Sequence, residues 1–190
     1  MVRTTIRLIR HELTRANLER RYIGWTDQSI IRKVSADIAF TPSVIYGSDL
    51  KRCEETAACY FPNVPFIADA RLRETNFGDF EMKTYEELKN NSLYRAWIND
   101  PLSVAPPNGE SLQAFNERIL TAFQKVIANK EEVTFIVHGG VIKAILAKYL
   151  HKAFHDVHAA HRTIYTLVLD GGETCISYSE APITVKDNMC

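Results

Sequence analysis

The sequence predicts an α/β fold, a three-layer α/β/α sandwich with a mostly parallel central sheet, and two observations carry that prediction. Apolar runs of strand length alternate with amphipathic stretches of helix length along the whole chain, without a linker or an internal repeat. Two of the runs lead directly into a histidine, in Ile6-Arg7-Leu8-Ile9-Arg10-His11 and in Val133-Thr134-Phe135-Ile136-Val137-His138-Gly139-Gly140. In an open parallel sheet ligands bind at the carboxyl ends of strands, so the two runs bring Arg10, His11 and His138 to one rim, a candidate anion site.

Thr4 to Ile9 is the first strand. Glu12 to Asp27 carries too much charge for a core and is expected as a loop over the site. Gln28 to Ala39 has Ile30, Ile31, Val34 and Ile38 at helical spacing and is expected as a helix, followed by a short β-branched run from Ser43 to Tyr46 that ends in Gly47. Ser48-Asp49 offers an N-cap to a helix from Leu50 to Tyr60, which Pro62 stops. Pro65 to Ala68 is a third short strand. Thr84 to Pro101 reads as one or two short helices before the turn Ala105-Pro106-Pro107-Asn108-Gly109, and residues 80–110 are expected as a small helical cap inserted in a single domain. Ser111 to Ile127 is a long amphipathic helix, Val133 to Val137 a strand and Val141 to Leu150 a helix. Thr163 to Leu169 and Thr174 to Tyr178, separated by Asp170-Gly171-Gly172, close the chain as an antiparallel hairpin.

Composition bounds what this fold can serve. With 190 residues, 46% of them hydrophobic, the chain buries a proper core. Lys+Arg and Asp+Glu are equal at 23 each, which argues against broad capture of nucleic acid or an anionic membrane. Attraction for an anion must be local, and residues 1–33 hold seven Arg and one Lys against Glu12, Glu19 and Asp27. No apolar stretch approaches bilayer length and the amino terminus has no signal-peptide core, so a cytoplasmic protein is expected. Cys53, Cys59, Cys175 and Cys190 lack metal-ligand spacing and are expected as thiols.

Alone, His11 would be read as a structural histidine, but its neighbours form a set. Leu8-Ile9-Arg10-His11 with Thr14 and Asn17, Gly24-Trp25-Thr26-Asp27, Ser48-Asp49-Leu50-Lys51-Arg52-Cys53-Glu54-Glu55-Thr56-Ala57, Leu72-Arg73-Glu74-Thr75-Asn76-Phe77-Gly78, Gly109-Glu110-Ser111 and Val137-His138-Gly139-Gly140 together resemble the histidine phosphatase superfamily, which includes the phosphoglycerate mutases. The match runs through nearly the whole chain in the family's order. It implies a phosphoglycerate mutase-like fold and a phosphohistidine on His11 that water hydrolyses. A histidine suits that role because one ring nitrogen can be held protonated by a backbone carbonyl while the other keeps its lone pair. Phosphoryl transfer asks the protein mainly for positioning and charge, and the resemblance gives the cationic role to Arg10, Arg52 and His138. It makes Glu74 the acid toward the leaving alkoxide and then the base toward water. Asn17, Thr26 and Gly139 are expected as further ligand contacts, the bare backbone at Gly139-Gly140 letting N–H groups approach a phosphate. No cofactor and no metal are implied. The expected partner is a small phosphorylated substrate, with neither nucleic acid nor membrane, and the assembly a monomer or homodimer.

Two features pull elsewhere. The spacing of His151 and His155, near His158 and His161, would suit two metal ligands on one helix face. The segment instead joins the last helix to the closing hairpin, where the family has a loop over the site, so one of these histidines is expected to line the substrate side. Glu12 stands where the family has glycine, adding a charge beside a phosphate pocket. An outward carboxylate, paired with Arg15, Arg20 or Arg21, would leave the pocket intact; an inward one would make the chain a catalytically impaired binder of phospho-ligands or a partner. The short interval from Phe80 to Gly109 resembles the small phosphatase branch that includes α-ribazole-phosphate phosphatases. It lacks the long insertion of the cofactor-dependent mutases. The reading is therefore a metal-independent phosphomonoesterase, with a phosphotransferase of mutase type as the alternative.

Overall fold

Strand β5 (Glu132–Val137) is apolar on both faces, and Val133 to Val137 are buried throughout, which is the signature of a strand inside a sheet covered on both sides. A computed structural model describes residues 3–187 and places β5 within a six-stranded sheet of order β4-β3-β5-β1-β6-β7. β1 (Arg3–Arg10), β3 (Ile45–Gly47), β4 (Phe66–Ala68) and β5 are mutually parallel. β6 (Thr163–Asp170) and β7 (Thr174–Pro182) add an antiparallel hairpin on the β1 edge. This is the expected α/β sandwich with a mostly parallel sheet.

Side chains of β1 and β5 alternate between two cores. Ile6, Leu8, Phe135 and Val137 face α5 (Leu112–Ile127) and α6 (Gly139–Tyr149), while Ile9 and Ile136 face α2 (Lys51–Tyr60). Residues 80–110 supply α3 (Tyr85–Leu88) and α4 (Ser92–Asn99), and Phe80, Leu88 and Tyr94 gather there with Tyr22, Phe77 and Trp97 in a separate aromatic cluster. Among the described residues, no helix is long and apolar enough to cross a membrane. Cys53, Cys59 and Cys175 are free thiols; Cys190 lies outside the described residues.

Several expectations are corrected. The helix expected over Gln28 to Ala39 is not formed: Ile30 makes a lone bridge to Thr14, and Val34–Asp37 is β2, paired antiparallel with β8 (Thr184–Asp187). Val34, Ala36 and Ile38 also satisfy a period of two, and all three pack into the α2-side core with Ile183 and Val185. The partner strand lies about 150 residues away in sequence, where no local signal reaches. The loop expected over Glu12 to Asp27 contains α1 (Arg15–Leu18), started by a capping box in which Asn17 takes the place usually held by Glu or Gln. Ser48-Asp49 is not the N-cap of α2. Leu50 holds that position, and the first-turn N–H of Lys51 donates instead to Asp27 Oδ1 at 2.9 Å.

Phe135 is fully buried, with Phe123 at 5.4 Å and Tyr46 at 6.0 Å between ring centroids. Phe135→Ala is expected to cost about 3–5 kcal/mol in urea unfolding, and a loss below about 1 kcal/mol would show that the core closes over the gap.

Candidate active site

Strand register builds the site. β1 pairs with β5 so that Arg10 lies opposite Val137, and the next residue of each strand, His11 and His138, emerges side by side. His11 N donates to Val137 O at 2.9 Å and the two rings lie 5.2 Å apart. On the other side of β5, Gly47 lies opposite Ile136, which brings Ser48 to the same rim. Ser48 Oγ there accepts from His138 Nε2 at 2.8 Å.

His11 is 3% exposed. Its Nδ1 lies 2.7 Å from Glu12 O, which can only accept, so Nδ1 carries the proton and Nε2 the lone pair. Burial, and then the positive charge of Arg52, hold its pKa well below the usual histidine value, so the ring is neutral. His138 is neutral for the same reasons in the same order. Its Nδ1 accepts from Arg52 Nε at 3.2 Å, and both ring nitrogens are thereby engaged. In the free protein His138 is a hydrogen-bonded neighbour of Arg52 rather than a third cation.

Arg52 is fully buried in the first turn of α2, and donates to Gly24 O at 2.6 Å and Thr26 O at 2.9 Å. Gly24 is required there, because a Cβ would stand 1.8 Å from Thr75 O. Arg10 Nη1 donates to Ala159 O at 2.7 Å, while its Nε is buried without an acceptor. Among the described residues neither guanidinium forms an ion pair within 4.0 Å. Two desolvated cations and an orphaned donor in one place are matched by an anion with several acceptor oxygens.

Glu74 lines the same cavity as Arg10. Oε2 accepts from Gly140 N at 2.8 Å and Oε1 from Thr75 N at 2.9 Å. A Cβ on Gly140 would lie 2.1 Å from Oε1, so only glycine admits the carboxylate at the start of α6. Gly139 lies directly against the Arg10 guanidinium. The segment bearing Glu74 is strapped down by Arg118, which donates to Arg73 O at 3.0 Å and pairs with Glu110, and by Trp25 Nε1, which donates to Glu74 O at 3.0 Å. Arg10, Glu74, Gly139 and Gly140 line a cavity of about 400 Å³ together with the aromatic rings of Phe77, Trp97 and Phe154.

Asn17 and Thr26 are held by the protein itself. Asn17 Oδ1 accepts from Thr14 N and Oγ1, both at 3.0 Å. Thr26 Oγ1 donates to Glu81 Oε2 at 2.7 Å. Glu81 also accepts from the backbone N–H groups of Gly24, Trp25, Thr26 and Phe77, and so shapes the loop whose carbonyls hold Arg52. Nothing in the sequence singles out Glu81.

The Glu12 carboxylate is engaged by the protein, but its partners are not Arg15, Arg20 or Arg21. It accepts from Arg162 Nε at 3.0 Å and from the Tyr60 hydroxyl. Burial pushes its pKa up, yet the hydrogen bonds and charge of Arg162 and the bond from Tyr60 outweigh burial and hold it below the usual carboxylate value. Glu12 is not among the residues with positive φ, so this position does not need the freedom of glycine. Of the histidine cluster, His161 reaches the site: its Nδ1 donates to His11 O at 2.7 Å, on the backbone side of the nucleophile candidate. His151 has a left-handed backbone just after α6 and exposed His155 sits in a separate 3₁₀ turn, so the two do not share a helix face. Among the described residues no three His, Cys, Asp or Glu side chains converge to hold a metal ion.

A family model described as the histidine phosphatase superfamily, branch 1, matches residues 6–179. The chain belongs to the histidine phosphatase superfamily. It is thus a phosphatase-family enzyme, as the sequence indicates. The adenosylcobalamin/alpha-ribazole phosphatase of Escherichia coli K12 is 27% identical over 75% of this chain and 77% of its own length. A 2,3-bisphosphoglycerate-dependent phosphoglycerate mutase of Gloeobacter violaceus is 30% identical over 76% of this chain and 74% of its own. The solved structure of Bacillus stearothermophilus YhfR superposes with a TM-score of 0.77, covering 94% of this chain and 96% of that one at 27% identity.

Burial holds His161 down to about 4 and keeps His11 and His138 neutral, whereas in the unfolded chain all three titrate near 6.5. Below that value the unfolded state binds more protons, so stability falls as pH falls, from about 6.5 downward, and is flat above about 7.5. Urea midpoints at pH 7.5, 6 and 5 test this, and a midpoint that holds constant to pH 5 would mean that the rings accept protons in place.

Proposed function

We propose that this histidine phosphatase is a metal-independent phosphomonoesterase that acts on a small phosphorylated metabolite through a phosphohistidine on His11. The observation that carries the reading is the neutral His11 ring, with its Nδ1 proton committed to Glu12 O, beside the buried Arg52 and the partly buried Arg10 guanidiniums, neither of which has a carboxylate within 4.0 Å among the described residues. His11 Nε2 attacks phosphorus, the P–O ester bond breaks, and the proton of a protonated Glu74 passes to the departing oxygen. Glu74 then takes a proton from water, whose oxygen attacks the phosphohistidine and releases inorganic phosphate with His11 restored. Arg10 and Arg52 hold the equatorial oxygens, with His138 and the N–H groups at the start of α6 beside them. Thr26 supports the loop that fixes Arg52, and Asn17 caps α1 through Thr14.

Two alternatives remain distinct outcomes. Similarity to the Gloeobacter mutase favours a phosphotransferase, in which a second hydroxyl replaces water. The short run from Phe80 to Gly109 and similarity to the Escherichia coli phosphatase support water as acceptor. An impaired binder loses its main argument, because the Glu12 carboxylate is engaged by Arg162 and Tyr60.

Hydrolysis of p-nitrophenyl phosphate is expected to persist in EDTA, since the arginines supply the charge stabilisation. Activity that disappears with chelator and returns with a divalent ion would overturn the assignment. His11→Ala is expected to lower turnover at least about 10³-fold and to abolish a phosphoenzyme stable in alkali and labile in acid. Equal labelling of the variant would move the nucleophile elsewhere.

Glu74→Gln should cost alkyl phosphates about 10²–10⁴-fold and aryl phosphates under about tenfold, because a phenolate leaves without a proton. Gly140→Ala should reproduce that split by displacing the carboxylate. Uniform losses across leaving groups would assign Glu74 to binding.

A further inference from the structure

The cavity lined by Arg10 and Glu74 carries one cation that the proposed mechanism does not use. Gly139, Gly140 and Lys143 share one face of α6, being three and four residues apart, and all three line the cavity. Lys143 therefore stands one helical turn outward from the Glu74 contact. Among the described residues its ammonium makes no ion pair or hydrogen bond, and its recorded partner is the Phe154 ring, with Nζ 5.6 Å from the centroid. Arg10, the other cation on the wall, is spoken for by Ala159 O and the phosphoryl group. The rest of the lining is largely aromatic and apolar, with Trp97, Phe77, Pro101 and Leu112 on the same space.

Resting on the phosphomonoesterase reading, we propose that Lys143 is a specificity residue, and that the substrate class is phosphate monoesters whose leaving group joins a flat or apolar body to a second anionic group. The body stacks among Trp97, Phe77 and Phe154, and the second anion pairs with Lys143. An ammonium resting on a ring face in a cleft exchanges a weak contact for a charge-assisted one when such a group arrives. The helix that contacts Glu74 through its first turn thus also measures the charge of the group that leaves.

The test compares 3- and 4-carboxyphenyl phosphate with the matching carbamoylphenyl phosphates, which differ in charge and hardly in shape. The readout is the ratio of kcat/KM for acid over amide, which is independent of the fraction of enzyme that is active. The wild-type ratio is expected to exceed unity by about tenfold for at least one isomer. Lys143→Met should bring it to unity, Lys143→Glu should take it below, and Lys143→Arg should retain the preference. A wild-type ratio near unity for both isomers, or a preference that survives in Lys143→Met, overturns the specificity role while hydrolysis of the amides leaves the phosphomonoesterase reading standing. Absence of hydrolysis of every ester overturns both.

Discussion

The buried guanidinium of Arg52 beside the partly buried one of Arg10, with no carboxylate within 4.0 Å of either among the described residues, is the constraint around which this protein is arranged. Desolvating a cation costs several kcal/mol unless fixed dipoles replace the water. Arg52 meets the carbonyls of Gly24 and Thr26 and the lone pair of His138, while Arg10 meets Ala159 O and keeps one buried N–H unpaired. Those acceptors stabilise the charges without neutralising them. Burial first, and then the positive charge left in place, keep His11 and His138 unprotonated, and that charge suits an anion with several acceptor oxygens.

Holding such a cluster requires supports that never touch a substrate. Glu81 gathers the N–H groups of the loop whose carbonyls receive Arg52, and Glu110 with Arg118 fixes the strap that carries Glu74. In both cases a charged side chain is spent on backbone groups that would otherwise be unpaired at a buried turn. The candidate reacting groups sit on strand ends and helix starts, and their precision derives from these outer residues.

How much of this was legible follows from sequence distance. The apolar runs into His11 and His138 are local signals, and parallel pairing then brings the two residues together with no further information. The place of Glu74 came only from a motif of neighbours. Glu81 and Arg162 were invisible, because each acts on groups tens of residues away and has an ordinary local setting. β2 departs from the expected helix for the same reason: Val34 and Ile38 fit two periods, and a strand from the far end of the chain decides between them. Within the histidine cluster, spacing pointed to a helix face, whereas the left-handed turn at His151 separates the residues and sends His161 alone to the nucleophile candidate.

Arg162, which adopts a left-handed backbone at φ 56°, connects to this history through Glu12. The same carboxylate receives the hydroxyl of Tyr60, a residue 4% exposed in the α2-side core. Glycine at position 12 would leave both that hydroxyl and the Arg162 guanidinium without this acceptor beside His11, and phenylalanine at 60 would relieve only the first of the two losses. The three positions therefore constrain the order in which they can change. Glutamate at 12 is bound into the fold by Arg162 and Tyr60, so a residue that looks like a defect in the motif serves as a structural anchor.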